Sequence, residues 1–274
     1  MKILITGGGG SIGSELFRQL AKAGHEVLAF DNNETAVFDL YEEYKLKGYN
    51  VHYRLGDIRD EIVVESTIRY FKPDVIYHAA ALKHVTPNEA FPRETVKTNV
   101  MGTLNVVASA IENRVPKLIF ISTDKVVNAD CVMGITKRLA ETIVRNAGFV
   151  AVRFGNVMRS RGSVLEIWER QLANNEPLSI TDERMERYMM SIPQACELLI
   201  KANEIGKPGQ VLVMDMGPRV KIIDLAHKFL EDHGKVGYPI ISIGIRPGEQ
   251  LIERLMSPEE ESNATRQDNF IIIN

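Results

Sequence analysis

The chain predicts an α/β fold, a doubly wound parallel sheet followed by a smaller C-terminal lobe. Three observations carry that expectation. Short, almost wholly apolar segments such as "KILIT" and "KLIFI" recur, as strands buried on both faces do. Stretches with helical spacing of apolar residues separate them, and this alternation builds parallel sheets. A glycine-rich turn, "TGGGGSIG", joins the first strand to the first helix.

Taken in order, "KILITG" is the first strand. "SIGSELFRQLAKAG" places Ile12, Leu16, Phe17 and Leu20 on one helical face and stops at Gly24. "HEVLAFD" is the second strand. The unit repeats as "NVHYRLGD", a helix at 60–71, "DVIYHAA", a helix at 94–113 and "KLIFIST". A helix at 133–147 leads into a sixth strand, "FVAVRFGNV". Beyond residue 156 the pattern changes. "GSVLEIWERQLAN" reads as a helix, "LSITDE" as an extended piece, and "IPQACELLIKANE" as a helix with Pro193 in its first turn. "GQVLVMDMG" is a strand, "VKIIDLAHKFLED" an amphipathic helix, and "PIISIGIRPGEQ" a strand entering a loop. The expected division is therefore 1–156, a nucleotide-binding domain with the chemical residues, and 157–274, a substrate lobe sharing some elements with the sheet. The tail "SPEEESNATRQDNF" is polar and reads as mobile.

Composition narrows the function. The 274 residues are 45% apolar and 25% charged, ordinary for a soluble globular chain. A net charge of −3 argues against a nucleic-acid-binding surface. Cys131 and Cys196 form neither a disulfide framework nor a metal spacing, which fits a reducing cytoplasm. "MKILITGGGG" is too short for a signal-peptide core, and no run of about 18 apolar residues exists to insert in a membrane. His78 and His84 lack a third ligand at suitable spacing, so no metal is expected.

The glycine turn is where chemistry enters. Gly7, Gly10 and Gly13 allow a tight turn and let backbone N–H groups approach a pyrophosphate, with Ser11 and Ile12 opening the helix. Asp31 ends the second strand. Its carboxylate can accept from the ribose hydroxyls of an adenosine and would repel a 2′-phosphate. "AFDNNE", with Asn32 beside Asp31, contains no Arg or Lys to receive that phosphate, which favours NAD over NADP. The Rossmann-type cofactor set extends to Asp57 and Ile58, expected to flank the adenine. It also includes Ala79, Ala80 and Ala81, small enough to let backbone approach the cofactor.

"STDKVVNADCVMGITK" follows the fifth strand. Thr123, Asp124 and Lys125 offer a hydroxyl, a carboxyl and an amine at the carboxyl end of a parallel strand, where open α/β sheets place ligands. Met133 and Lys137 lie one turn apart on one helical face. In many nicotinamide enzymes a tyrosine stands at the first of these positions, and a thioether cannot replace its acid–base role. Either the site is inactive, or the acid–base work has moved to Thr123, Asp124 and Lys125.

With the glycine loop, "HAAALKHV", "VKTNVMGTLNV", "STDK", "MGITK", "RFGNV", "SRGSV" and "RPGE", the chain resembles the extended short-chain dehydrogenase/reductases. Within them it looks most like the UDP-N-acetylglucosamine 4,6-dehydratases of capsular polysaccharide biosynthesis, over residues 1 to about 256. That family includes a branch with methionine in place of tyrosine, which Met133 fits. The resemblance implies that Lys137 hydrogen-bonds the nicotinamide ribose; beside an oxidised nicotinamide its proton affinity should fall. It implies Asp124 as acid for the departing 6-hydroxyl, Lys125 as base at sugar carbon 5, and Thr123 as a partner of the carbon 4 oxygen. Which group deprotonates the carbon 4 hydroxyl stays open among Asp124, Lys125 and a bound water. Asn99 is implied as a site-supporting amide.

The same resemblance places Lys83, His84, Asn156 and Arg187 against the sugar nucleotide and wraps "SRGSV" around it. Ser160, Arg161 and Ser163 can donate to phosphate oxygens. Arg246 can grip a diphosphate through two parallel N–H···O bonds, and Glu249 can accept from the uridine ribose, with Pro247–Gly248 fixing the turn between them. Relatives usually read "AVNPTNVMG" where this chain has "VVNADCVMG", so Asp130 and Cys131 are departures. Two long helices, at 94–113 and 133–147, form a four-helix interface in relatives, so a homodimer or larger assembly is expected. Two alternatives remain open: a nucleotide-sugar 4-epimerase, and a protein that binds NAD or a nucleotide sugar without turnover.

Overall fold

The computed structural model describes residues 1–274. The first half alternates strand and helix: β1 (Lys2–Thr6), α1 (Ser11–Lys22), β2 (Glu26–Asp31), α2 (Glu34–Leu46), β3 (Val51–Leu55), α3 (Glu61–Phe71) and β4 (Val75–His78). Next come α4 (Val85–Ala90), α5 (Pro92–Val96), a π-helical segment Lys97–Gly102 and α6 (Thr103–Glu112). β5 (Lys117–Ile121), a 3-10 turn Asp124–Val126, α7 (Val132–Asn146) and β6 (Val150–Arg153) complete this half. The single helix expected at 94–113 is thus three pieces, with Asn99 in the π segment.

The second half holds β7 (Asn156–Val157), α8 (Val164–Ala173), β8 (Leu178–Ile180), β9 (Glu186–Arg187), β10 (Met189–Met190) and α9 (Ile192–Ile205). It continues with β11 (Val211–Met214), β12 (Val220–Lys221), α10 (Ile222–Asp232), β13 (Ile240–Ser242), α11 (Pro258–Asn263), β14 (Thr265–Gln267) and β15 (Phe270–Ile273). A nine-stranded sheet runs in the order β14-β15-β11-β6-β5-β4-β1-β2-β3. It is parallel from β3 to β11, and β15 and β14 are antiparallel. The doubly wound α/β class is therefore observed. Strand order reverses between β1 and β4, which opens a crevice at their carboxyl ends.

The central strands are buried on both faces, and two apolar cores flank the sheet. One gathers Leu16, Phe17, Tyr44 and Leu199; the other gathers Ile68, Val106, Val144 and Phe120. Helix starts are fixed by side chains that satisfy otherwise orphaned N–H groups. Asn33 accepts from Ala36 N, Asp60 from Val63 N, and Ser191 forms a capping box with Gln194. A third core surrounds the fully buried Trp168, with Leu178, Ile180, Met185, Ile222 and Phe229. Its indole Nε1 donates to Ser179 O at 2.8 Å, locking α8 to β8.

The tail differs from the sequence expectation. Ser257 and Glu260 form a capping box that starts α11, and the buried "FIII" of β15 pairs with β11. Polar composition over 257–269 hid a hairpin whose second strand is wholly apolar. Arg153 holds this segment in place, donating to both oxygens of Glu141 on α7 and both of Glu260 on α11. No helix is long and apolar enough to cross a membrane.

Candidate functional site

A cavity of about 870 Å³ lies between the carboxyl ends of the sheet strands and the lobe around Trp168. Gly7, Gly10, Ser11, Ile12 and Gly13 line one end. Gly7 has φ +70°, and a Cβ there would lie 2.6 Å from Ala80 N. A Cβ at Gly13 would fall onto Gly7 O. The turn thus requires glycine at both positions, and it leaves room for a ligand's phosphates. Asp31 holds the loop from outside: Oδ2 accepts from Gly9 N and Oδ1 from Asn33 N, each at 2.9 Å. Those bonds leave lone pairs over for ribose hydroxyls, and no cation pairs with Asp31. The donor set fits a dinucleotide without a 2′-phosphate.

Other expected cofactor residues distribute unevenly. Ala79 and Ala81 line the cavity, while Ala80 packs beneath Gly7. Asn32 donates to Asp57 Oδ2 at 3.4 Å, and Asp57 is paired with Arg59. The Arg59 guanidinium holds the Asp57 carboxyl below its usual range, against the pull of partial burial. Ile58 is buried and packs on Gly102, so its side chain serves the core.

His78, weighed above only as a metal ligand, has a different position. Its Nδ1 lies 2.6 Å from Thr6 Oγ1 and its Nε2 2.9 Å from Thr103 Oγ1. Thr103 spends its own proton on Asn99 O at 2.7 Å, so His78 donates from Nε2 and accepts at Nδ1. Burial, then the nearby Lys137, pushes the imidazole down to about 3, which keeps it neutral. The ring thereby ties the end of β1 to the start of α6. Asn99 in turn brackets Leu82, accepting from its N–H at 2.8 Å and donating to its carbonyl at 3.0 Å. Its amide also donates to Thr136 on α7 at 3.2 Å.

The chemical groups collect where β5 meets α7. Thr123 Oγ1 donates to Asp124 Oδ1 at 2.9 Å, and Lys125 Nζ donates to the same oxygen at 3.0 Å. Thr123 and Lys125 line the cavity. Asp124 is 1% exposed and sits behind them, with Oδ2 buried and unpartnered against Gly155. Lys125 also reaches Asn156 Oδ1 at 3.4 Å and Glu253 Oε1 at 3.4 Å. Burial opposes the charge of Lys125, but Asp124 and Glu253 outweigh it and hold the amine above its ordinary range. At rest the shared proton therefore belongs to Lys125. Sequence reasoning missed Glu253, which follows the "RPGE" turn in irregular backbone and has no motif of its own.

Met133 and Lys137 both line the cavity from α7. Lys137 Nζ donates to Ile121 O at 2.6 Å and lies 3.8 Å from the centre of the Phe120 ring. Burial pushes its amine down to about 7, with Glu141 opposing. Cys131 caps α7 through Gly134 N at 3.3 Å, so this departure from the related sequences is structural. Asp130 accepts from Gln250 Nε2 at 2.9 Å near the surface.

All nine expected substrate residues border the same cavity. Lys83 donates to Ser160 at 3.1 Å, and burial lowers both Lys83 and His84. The backbone N–H of Arg161 donates to Ser11 Oγ at 2.9 Å, closing "SRGSV" over the start of α1. Ser163 Oγ is buried without a partner. The "RPGE" turn is closed by Arg246 N donating to Glu249 Oε2 at 3.1 Å, so one Glu249 oxygen is already committed. Arg187 is buried and donates to the carbonyls of Glu186, Leu251 and Gln250 at 2.6–3.0 Å. It therefore anchors the 250–253 segment in addition to facing the cavity.

A family model described as "Polysaccharide biosynthesis protein" matches residues 3–274. The chain is 40% identical over 273 residues to the capsular polysaccharide biosynthesis protein CapD of Staphylococcus aureus, covering 94% of this chain and 45% of CapD. It thus spans under half the length of that relative. It is 33% identical over 276 residues to a UDP-glucose 4-epimerase of Rickettsia rickettsii, covering 96% of this chain and 79% of that one. The X-ray structure of Pen from Bacillus thuringiensis superposes with a TM-score of 0.94 at 36% identity, covering 99% of this chain and 88% of Pen.

Proposed function

The chain belongs to the polysaccharide biosynthesis protein family, and we propose that it is an NAD-dependent 4,6-dehydratase of UDP-N-acetylglucosamine, forming a 4-keto-6-deoxy sugar nucleotide. The observation that carries this reading is the Thr123–Asp124–Lys125 cluster: Thr123 and Lys125 line the same cavity as the glycine loop and Met133, and both donate to Asp124 buried behind them. Hydride transfer at carbon 4 alone, as in epimerisation, calls for no acid–base pair beyond the one serving that hydroxyl. Dehydration needs a base at carbon 5 and an acid at carbon 6 as well, and a bonded amine–carboxyl pair supplies both.

The glycine loop and Asp31 would hold NAD, with Lys137 toward the nicotinamide ribose. NAD bound there supplies the acceptor and later the donor of hydride. A ketone at carbon 4 acidifies the carbon 5 proton, so a modest base suffices. Lys125 takes that proton, and Asp124 gives one to the departing hydroxyl through Thr123, whose hydroxyl links the buried carboxyl to the cavity. The resting proton sits on Lys125, so it crosses the 3.0 Å bond to Asp124 before these roles operate. Arg246, Arg161 and Ser163 are proposed to hold the diphosphate.

The epimerase reading is the competitor, since a relative of that activity covers nearly the whole chain. Incubation with UDP-N-acetylglucosamine and NAD in deuterated water separates them. A product lighter by one water, ketone at carbon 4 and deuterium at carbon 5, is the expected outcome by mass spectrometry and NMR. An epimer of unchanged mass would reject dehydration, and neither product would leave only binding.

A further inference from the structure

The segment following the "RPGE" turn carries a buried carboxylate that the chemistry above does not employ. Glu253 is 4% exposed and borders the cavity. Its Oε1 lies 3.4 Å from Lys125 Nζ and 3.6 Å from Arg187 Nη2. Arg187 is fastened to the carbonyls of Gln250 and Leu251, so the geometry of Glu253 is set by its own segment. A buried carboxylate is costly without a cation. Here two carboxylates, Asp124 and Glu253, face two cations, Lys125 and Arg187, and Lys125 touches both acids.

We infer that Glu253 is a positioning residue for Lys125: its carboxylate fixes the amine on the cavity wall and retains the amine's proton in the ligand-free protein. The groups facing this pair are Asp124 beside Lys125, Arg187 from β9, and the Cys131 thiol at the start of α7. Burial works against the charge on Lys125, Asp124 and then Glu253 favour it, and Arg187 opposes it. Burial likewise raises the Glu253 carboxyl, while Lys125 lowers it. The functional sense of the inference rests on Lys125 as the base of the proposed dehydration: with its proton retained at rest, the amine becomes a base only after that proton moves.

Trace acetylation of ligand-free protein with acetic anhydride, read at each lysine by peptide mass spectrometry, reports the neutral fraction of every amine. The exposed Lys228 on α10 is the internal reference. Wild-type Lys125 is expected to reach half-maximal labelling at a higher pH than Lys228. In Glu253→Gln that midpoint should fall by about one pH unit, about tenfold faster labelling at pH 8. Glu253→Asp, which keeps the charge but withdraws it by one methylene, should label between wild type and Glu253→Gln. Equal midpoints in Glu253→Gln and wild type would overturn the inference. So would a wild-type midpoint at or below that of Lys228, a measurement that needs no variant to fold. Failure of wild-type protein to dehydrate UDP-N-acetylglucosamine would remove the catalytic reading and leave the labelling result standing.

Discussion

At the scale of single residues, Lys125, Met133 and Lys137 carry distinct tests. If residues 123–125 move the protons, Asp124→Asn and Lys125→Ala should each lower turnover by roughly 100-fold or more, the range of general acid–base catalysis. Met133→Leu keeps a buried apolar side chain of similar volume and should be far milder; steady-state rates on UDP-N-acetylglucosamine decide it. Lys137 titrates near neutrality because burial pushes it down to about 7. From about pH 7 to about pH 10.5 the unfolded chain holds a proton there that the folded chain lacks, so this group adds stability as pH rises across that window. The same sign governs ligand binding. A protonated Lys137 repels an oxidised nicotinamide, so NAD should bind more tightly at pH 8 than at pH 6 by calorimetry. Lys137→Met should flatten that difference. The identities of these residues were legible in the sequence; their protonation was not, because it depends on Glu253, Glu141 and burial brought from distant segments.

At the scale of elements, α7 is the spine of the site. It carries Met133 and Lys137 on one face, and its first turn presses on the loop that bears the acid and base. Gly134 makes that contact possible: a Cβ there would lie 2.5 Å from Lys125 O. Its backbone is helical, so Gly134→Ala brings no conformational strain and even favours the helix. The methyl must instead displace the Lys125 backbone. Turnover should fall by about 10- to 100-fold with the fold retained, since a misplacement near 1 Å is enough for that loss. Unchanged turnover with unchanged circular dichroism would mean the 124–126 turn has slack that the packing does not suggest. The parallel strands were readable because buried strands are nearly continuous in apolar residues, and most helices because apolar residues recur at helical spacing; α2, capped by Asn33, was not expected from the sequence. The break of the 94–113 helix at Lys97–Gly102 was not readable, because a π segment leaves helical periodicity almost intact.

At the scale of the molecule, the fold closes on itself through residues that composition disguised. Arg153 joins β6, α7 and α11, and β15 seals the far side of the sheet, so the polar tail is part of the structure that supports β5. Sequence patterns reported the strands but not this closure, which depends on pairing between residues over a hundred positions apart. One surface then remains apolar. Met101, Leu104 and Ile111 are 41–54% exposed on the π segment and α6, and Ile135 and Leu139 are 52% and 49% exposed on the adjacent α7. Their spacing puts one stripe on each helix, and the helices lie side by side. A second copy meeting this face would form a four-helix contact, and a stable one requires about 800 Å² buried per partner. We therefore predict that the protein self-associates through α6 and α7. Leu104→Glu combined with Leu139→Glu places two charges in the middle of the stripe, where burial in an interface is costly and exposure to water is not. Sedimentation should show a dimer or larger species for the parent and a monomer for the double variant, with the thermal unfolding of each monomer otherwise cooperative. A parent that sediments as a monomer at micromolar concentration, or a double variant that still assembles, would place the interface elsewhere or deny it.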